Sequence, residues 1–218
     1  MTFIPNGEVK NRVSLLSQLI KTTRGFMPES EGLALAHGIW LTQELPPHPA
    51  VEIGSYLGLS TIYLGTVAKM LGLKLITIDH HRGSEEIQPG WEHHDPSLVD
   101  PVSGRMDTLY GLRRTITLAG LNSSVIIVAS DSQTFASVFE TTIGFLFIDG
   151  GHGKEQAHLD FDDWVPKLAD GGILAIHDVF ENLQLGGTPP YEIYLRSKEM
   201  GFRQLYEAGS LRVMQKER

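Results

Sequence analysis

Residues 50–61 read AVEIGSYLGLST and join a short apolar run to a helical pattern through a turn that contains Gly54 and Gly58. The apolar run predicts a strand over 50–56, and the spacing after Gly58 predicts a helix over 59–70. Glycines in such a turn let the backbone approach a ligand at a helix N-terminus. Tyr56 stands where the dinucleotide fingerprint GxGxxG has its second glycine, so the turn differs from that motif.

Strands and helices alternate along the rest of the chain. Further strands are expected over 74–80, 125–130, 143–149 and 173–178, and helices over 108–121, 131–139, 154–168 and 190–200. Gly171 and Gly172 are expected to end the helix that precedes the fifth strand. Residues 202–216 indicate a hairpin around Gly209 and Ser210. This alternation predicts an α/β fold with a mostly parallel, doubly wound sheet that helices cover on both faces.

The N-terminal part is helical in pattern. An amphipathic pattern over 9–20 breaks at a segment with glycine and proline and resumes over 29–45, where three prolines end it. The chain therefore divides into an N-terminal helical extension, 1–48, and an α/β domain, 49–218. A polar insertion at about 81–105 interrupts the domain, and its length is typical of either a lid or a solvated loop.

Composition excludes several classes of protein. The 218 residues carry 18 Lys and Arg against 26 Asp and Glu, a net charge of −8, which argues against a nucleic-acid binder. Cysteine is absent, which excludes disulfides, thiolate metal sites and a cysteine nucleophile. No apolar run approaches about 18 residues, and MTFIPNGEVK lacks the pattern of a secretory signal. We therefore expect a cytoplasmic protein that binds neither nucleic acid nor membrane.

Five acidic residues stand at or near the ends of the predicted parallel strands, namely Glu52, Asp79, Asp131, Asp149 and Asp178. Ligands of open α/β sheets bind beyond the carboxyl ends of the strands, so this edge is the expected site. An acid after the second strand can accept hydrogen bonds from both hydroxyls of a ribose. Asp131, after the third strand, can accept from an adenine amine or can cap the next helix, and both interpretations remain open.

The ordered segments VEIGSYLGLST, TIDHHRG, VASDS, LFIDGGH and LADGGILAIHDVF resemble class I S-adenosylmethionine-dependent methyltransferases. The likeness is greatest to the small-molecule O-methyltransferase-like branch that includes cephalosporin-hydroxylase-type and macrocin-type enzymes. It covers about residues 27–216. The resemblance implies a Rossmann-like sheet of seven strands with an antiparallel C-terminal hairpin. It also implies methyl transfer from S-adenosylmethionine to a hydroxyl oxygen of a small-molecule acceptor.

The same resemblance implies roles for individual residues. Asp79 would hold the cofactor ribose, Asp131 and Ser132 would approach the adenine, and the glycine turn would shape the methionine pocket. The residues implied to form the cofactor site are Glu52, Gly54, Ser55, Tyr56, Gly58, Ser60, Asp79, His80, Asp131, Ser132 and Asp149.

Catalysis and metal binding are expected after the fourth and fifth strands. In metal-dependent relatives of the catechol type, an acid after the fourth strand and an acid–amide or acid–acid pair after the fifth strand bind Mg²⁺. At these positions this chain has Asp149 and the pair His177 and Asp178. Imidazole prefers transition metals whereas Mg²⁺ prefers oxygen, so a divalent metal of either kind remains open. His152 is expected as the general base, beside Asp149, and lies near a catalytic lysine position of the catechol-type enzymes.

Two other functions are compatible with the residues alone. A nicotinamide-dependent Rossmann oxidoreductase would share the parallel sheet, although the missing GxGxxG and the antiparallel end count against it. A non-catalytic S-adenosylmethionine sensor would keep the same strand-end acids. The N-terminal helices are expected to cover the acceptor or to form a contact in a homodimer or larger homo-oligomer.

Overall fold

A computed structural model describes residues 3, 5–84, 95–151, 153–181 and 188–217. Its sheet has seven strands in the order β3-β2-β1-β4-β5-β7-β6. The strands are β1 Ala50–Ile53, β2 Leu75–Asp79, β3 Val125–Ala129, β4 Ile143–Ile148, β5 Leu168–Ile176, β6 Phe202–Ala208 and β7 Leu211–Lys216. The first five are parallel, and the β6–β7 hairpin joins β5 antiparallel through β7. The predicted Rossmann-like architecture is confirmed.

The helices follow the predicted alternation. They are α1 Gly7–Ser14, α2 Ser17–Thr22, α3 Glu29–Trp40, α4 Leu59–Met70, α5 Leu109–Leu118, α6 Ser132–Ala136, α7 Lys154–Trp164 and α8 Pro189–Glu199. None of the helices within the described ranges is long and apolar enough to cross a membrane.

Both faces of the central strands are buried. Along β4, Phe145 and Phe147 enter a core with α3 and α4, while Leu146 and Ile148 enter a second core with α7 and α8. Successive side chains of a strand point to opposite faces, which explains why a continuous apolar run fits here. The result is a three-layer arrangement with the strand ends free to form a site.

The N-terminal helices share the first of these cores. Val9 of α1 and Leu35 and Ile39 of α3 are buried with Phe145 of the sheet. Tyr206 of β6 donates a hydrogen bond of 2.9 Å to the carbonyl oxygen of Ala34. Glu31, in the first turn of α3, contacts His177 directly after β5, so the start of α3 lies beside the end of that strand. The division of the chain at residue 48 stays a prediction.

The boundaries of the first and fifth strands differ from the prediction. The first strand ends at Ile53, not Tyr56, because Gly54 takes a left-handed backbone conformation with φ 87°. Gly171 and Gly172 do not end a helix but lie inside β5. Pro166 lies in a 3₁₀ turn that ends the helical region, and the strand then bulges where its pairing with β4 shifts register.

Candidate active site

A cleft of about 1060 Å³ opens at the carboxyl ends of β1, β2 and β4. The strand order reverses between β1 and β4, and such a switch point is where open α/β sheets bind ligands. Most of the residues predicted for the site line the cleft, namely Gly54, Ser55, Tyr56, Ser60, Asp79, His80, Asp131, Ser132, Asp149 and Asp178. Glu52, Gly58 and His177 lie behind this lining.

The turn after β1 is fixed by Asp79. Its Oδ2 accepts hydrogen bonds from the backbone N–H groups of Ser55 and Tyr56, at 3.1 and 2.9 Å. Its Oδ1 accepts from the N–H of His81 at 2.7 Å. Asp79 thus links the ends of β1 and β2 while facing the cleft.

Backbone strain is concentrated at the same edge. Among the described residues, the non-glycine residues with positive φ are Tyr56, His81 and Asp178, each close after a strand. Such conformations cost about 1–3 kcal/mol each and persist where the surroundings enforce them. The sheet therefore holds these three residues in place at the cleft or next to it.

Glu52 is a buried carboxylate beneath the cleft floor. Its oxygens accept hydrogen bonds from the hydroxyls of Ser60 and Thr61, at 2.6 and 2.7 Å, which tie β1 to the first turn of α4. Burial raises the pKa of Glu52 to about 7 in spite of these hydrogen bonds. Glu52 therefore supports the glycine turn from behind.

Replacing Glu52 by glutamine is expected to change how stability depends on pH. A folded-state pKa above the unfolded value means that stability is full at low pH and falls as the pH rises from about 4.5 to about 7. The loss over the whole range is of the order of 3 kcal/mol. Thermal unfolding of wild type and Glu52→Gln at pH 5 and pH 8 should show a smaller loss for the variant. Equal losses would show that Glu52 does not titrate in this range.

The residues after β3 contact a second buried acid, Asp160 of α7. Asp131 caps α6, its Oδ1 accepting from the N–H of Thr134 at 2.8 Å, while it also lines the cleft. The Ser132 hydroxyl bonds instead to Asp160 of α7, which also accepts from Gln156 at 3.0 Å. Burial raises the pKa of Asp160 to about 6 despite these bonds. Ser132 therefore reaches the cleft with its hydroxyl turned toward the protein.

His177 joins three carboxylates after β5. Its Nδ1 lies 3.0 Å from Oδ1 of Asp149 and 3.4 Å from Oδ2 of Asp178, and its Nε2 lies 2.6 Å from Oε2 of Glu31. Burial alone would lower the pKa of His177. The charge of Asp149 and hydrogen bonds to all three acids outweigh burial and raise that pKa well above its ordinary value.

The donor set of this cluster suits a divalent transition metal. One ligand atom each from Asp149, His177 and Asp178 lie within 4.8 Å of one another, and Nδ1 faces both carboxylates. One nitrogen with carboxylate oxygens matches ions such as Zn²⁺, Fe²⁺ or Co²⁺ better than Mg²⁺. The structure thus brings together the three residues that the sequence placed in a metal site.

Several residues of the site were not predicted. The segment between α2 and α3 contributes Arg24, Phe26 and Met27 to the lining of the cleft. Helix α7 contributes Lys154. Glu31, which contacts His177, was also not predicted, and it is a buried acid with only 5% of the residue exposed. A signal for Glu31 exists, because it precedes Leu35 and Ile39 by four and eight residues and so shares the apolar face of α3. His152 and residues 85–94 of the insertion lie outside the described residues.

This sheet order and the acid-lined cleft at the switch point match the Rossmann-like class I methyltransferase fold that the sequence resemblance implied. The chain belongs to the methyltransferase domain family, whose model matches residues 51–179, more than half of the chain. Its cofactor is S-adenosylmethionine, and the nicotinamide-dependent alternative is not favoured.

Relatives with known structures have the same fold. The O-methyltransferase NovP superposes with a TM-score of 0.69 at 14% identity, covering 97% of this chain and 98% of NovP. A putative caffeoyl-CoA O-methyltransferase from Staphylococcus aureus has a TM-score of 0.60 at 11% identity, covering 97% and 93%. An O-methyltransferase from Bacillus cereus, solved in complex with SAH, has 0.56 at 17%, covering 99% and 94%.

The chain is also similar in sequence to a curated relative. This relative is the uncharacterized protein y4gI of Sinorhizobium fredii (strain NBRC 101917 / NGR234), 25% identical over 145 residues, which are 65% of this chain. The match spans only 14% of the length of that relative.

Proposed function

We propose that the chain transfers the methyl group of S-adenosylmethionine to a hydroxyl oxygen of a small molecule. The observation that carries the proposal is Asp149, which stands in the cleft at the end of β4 with its Oδ1 held by His177. A carboxylate in this position can accept the hydrogen bond of an acceptor hydroxyl. The O-methyltransferases of known structure with the same fold support this choice of acceptor atom.

The reaction is a displacement at the sulfonium methyl group. The acceptor oxygen forms a bond to the methyl carbon while the carbon–sulfur bond breaks, leaving a neutral thioether and releasing the hydroxyl proton. Rate then depends on holding the oxygen in line with the methyl–sulfur bond. Asp149 would orient the hydroxyl, and either Asp149 or His152 would take its proton.

A divalent ion would have a defined place in this site. Asp149, His177 and Asp178 would hold it, and when bound it would lower the pKa of the acceptor hydroxyl. The residues Arg24, Phe26 and Met27 would border the acceptor, since they line the cleft.

Transfer of a labelled methyl group tests the proposal. Purified protein with S-adenosylmethionine should methylate members of a panel of phenols and alcohols, and the O-methylated form of each active compound should accept no label. Binding of S-adenosylhomocysteine without turnover on any hydroxyl compound would favour a sensor instead.

Replacing Asp79 by asparagine is expected to weaken S-adenosylhomocysteine binding by about 10- to 100-fold. The change weakens charged hydrogen bonds to the glycine turn, worth about 1.5–3 kcal/mol. Calorimetric titration measures the affinity. Asp100→Asn is the matched control, because Asp100 also accepts backbone N–H groups, from Val102 and Ser103, but does not line the cleft. Equal affinities for Asp79→Asn and wild type would contradict this role.

A further inference from the structure

Glu31, which precedes all the strands in the chain, contacts His177 of the candidate metal cluster. It lies in the first turn of α3, 146 residues before His177, and its Oε2 is 2.6 Å from Nε2 of that histidine. Both side chains are almost fully buried, with 6% of Glu31 and 3% of His177 exposed. A carboxylate can only accept, so the 2.6 Å distance requires a proton on Nε2. Nδ1 likewise donates to Asp149, and a metal ion bound there would replace the proton on Nδ1 while Nε2 keeps its own.

The hairpin at the end of the chain holds Glu31 in turn. Its Oε1 accepts a hydrogen bond of 2.7 Å from the N–H of Ser210, between β6 and β7. Gly209 leaves room for it, because a Cβ at that position would lie 2.8 Å from the Glu31 carboxyl carbon. Both oxygens of Glu31 are therefore engaged, one by the hairpin and one by the imidazole.

This arrangement decides which histidine nitrogen faces the cleft. With Nε2 turned to Glu31, the ring presents Nδ1 to Asp149 and Asp178. A carboxylate that accepts from the remote nitrogen of a metal-bound histidine fixes the ring and raises its basicity as a ligand. Glu31 stands in that relation to the cluster.

We propose that Glu31 is a positioning residue that directs Nδ1 of His177 toward Asp149 and Asp178, which gives the site one nitrogen donor and a preference for a divalent transition metal over Mg²⁺. The proposal deepens the proposed function and rests on it for the use of the metal.

Metal binding without turnover tests it. Protein freed of metal is titrated with Co²⁺ and separately with Mg²⁺ in a calorimeter. Wild type should bind one Co²⁺ at least about 100-fold more tightly than Mg²⁺. Glu31→Gln should weaken Co²⁺ binding by about 10- to 100-fold, the usual effect of losing such a partner. Glu29→Gln is the matched control, an exposed acid of the same helical turn, and should bind as wild type does.

A second variant checks the nitrogen donor itself. His177→Asp makes the donor set all oxygen, so the preference for Co²⁺ over Mg²⁺ should fall by at least about tenfold. If Glu31→Gln does not fold, Glu31→Asp keeps the charge and shortens the reach, and should also weaken Co²⁺ binding.

The outcomes separate this proposal from the proposed function. No Co²⁺ binding by wild type, or Co²⁺ binding by folded Glu31 variants equal to wild type, would overturn the role of Glu31. An unchanged preference for Co²⁺ over Mg²⁺ in His177→Asp would contradict the role of His177 as the nitrogen ligand of the metal. S-adenosylhomocysteine is titrated into the same samples. Failure of wild type to bind it would count against methyl transfer and leave the metal result standing.

Discussion

Replacing Asp149 by asparagine is expected to lower kcat by about 10²- to 10⁴-fold, the range that general acid–base groups contribute. Asp149 lies at the end of β4, lines the cleft and accepts from His177 at 3.0 Å. Asp149 is a candidate general base and also a candidate metal ligand. Its replacement should therefore lower the rate whether the acceptor hydroxyl is activated by a base or by a metal ion. Asparagine keeps the size and one oxygen of the side chain, which should leave the affinity for S-adenosylhomocysteine within several-fold of wild type.

Single-turnover transfer of labelled methyl groups, beside calorimetric titration of S-adenosylhomocysteine, separates the chemical step from cofactor binding. Asp170→Asn is the matched control. Asp170 is also an acid of the sheet, in the N-terminal part of β5, but it is exposed and does not line the cleft. Its variant should turn over as wild type does. Wild-type kcat in Asp149→Asn would remove Asp149 from the mechanism.

The fold was predictable because its signals are local. Continuous apolar runs such as Phe145–Ile148 indicate strands buried on both faces, and the structure divides these residues between two cores. The boundaries of β5 were less predictable. Gly171 and Gly172 are helix-ending residues by type, and only the register shift against β4 shows that they form part of a strand.

The site was predictable at the level of the cleft and less so at the level of contacts. Acids at strand ends must gather at one edge of a parallel sheet, which is why Asp79, Asp149 and Asp178 were found. The contact between Glu31 and His177 joins residues 146 positions apart, and no spacing rule reports it. The bonds from Asp79 to the glycine turn likewise depend on the pairing of β1 with β2, which sequence order alone does not give.

Replacing Gly54 by alanine is expected to destabilise the fold by about 2–5 kcal/mol and to weaken S-adenosylhomocysteine binding by more than about 100-fold. Gly54 has φ 87°, a conformation that costs an L-residue about 1–2 kcal/mol. A Cβ there would also lie 2.6 Å from the carbonyl carbon of Asp149, and overpacking adds about 1–3 kcal/mol. The ends of β1 and β4 would have to separate, which moves the glycine turn and Asp149 together.

Gly72→Ala separates the two costs. Gly72, just after α4, has φ 69°, but a Cβ there would meet nothing within 4 Å, so its variant should lose only about 1–2 kcal/mol and keep its affinity for S-adenosylhomocysteine. Urea unfolding gives the free energy of both variants, and calorimetry gives the affinity. Equal destabilisation of the two variants would mean that β4 yields easily to the added methyl group. The larger loss in Gly54→Ala would instead come from the close approach of two strand ends. That approach sets where Asp149 stands relative to the glycine turn, and an L-residue at position 54 cannot preserve it.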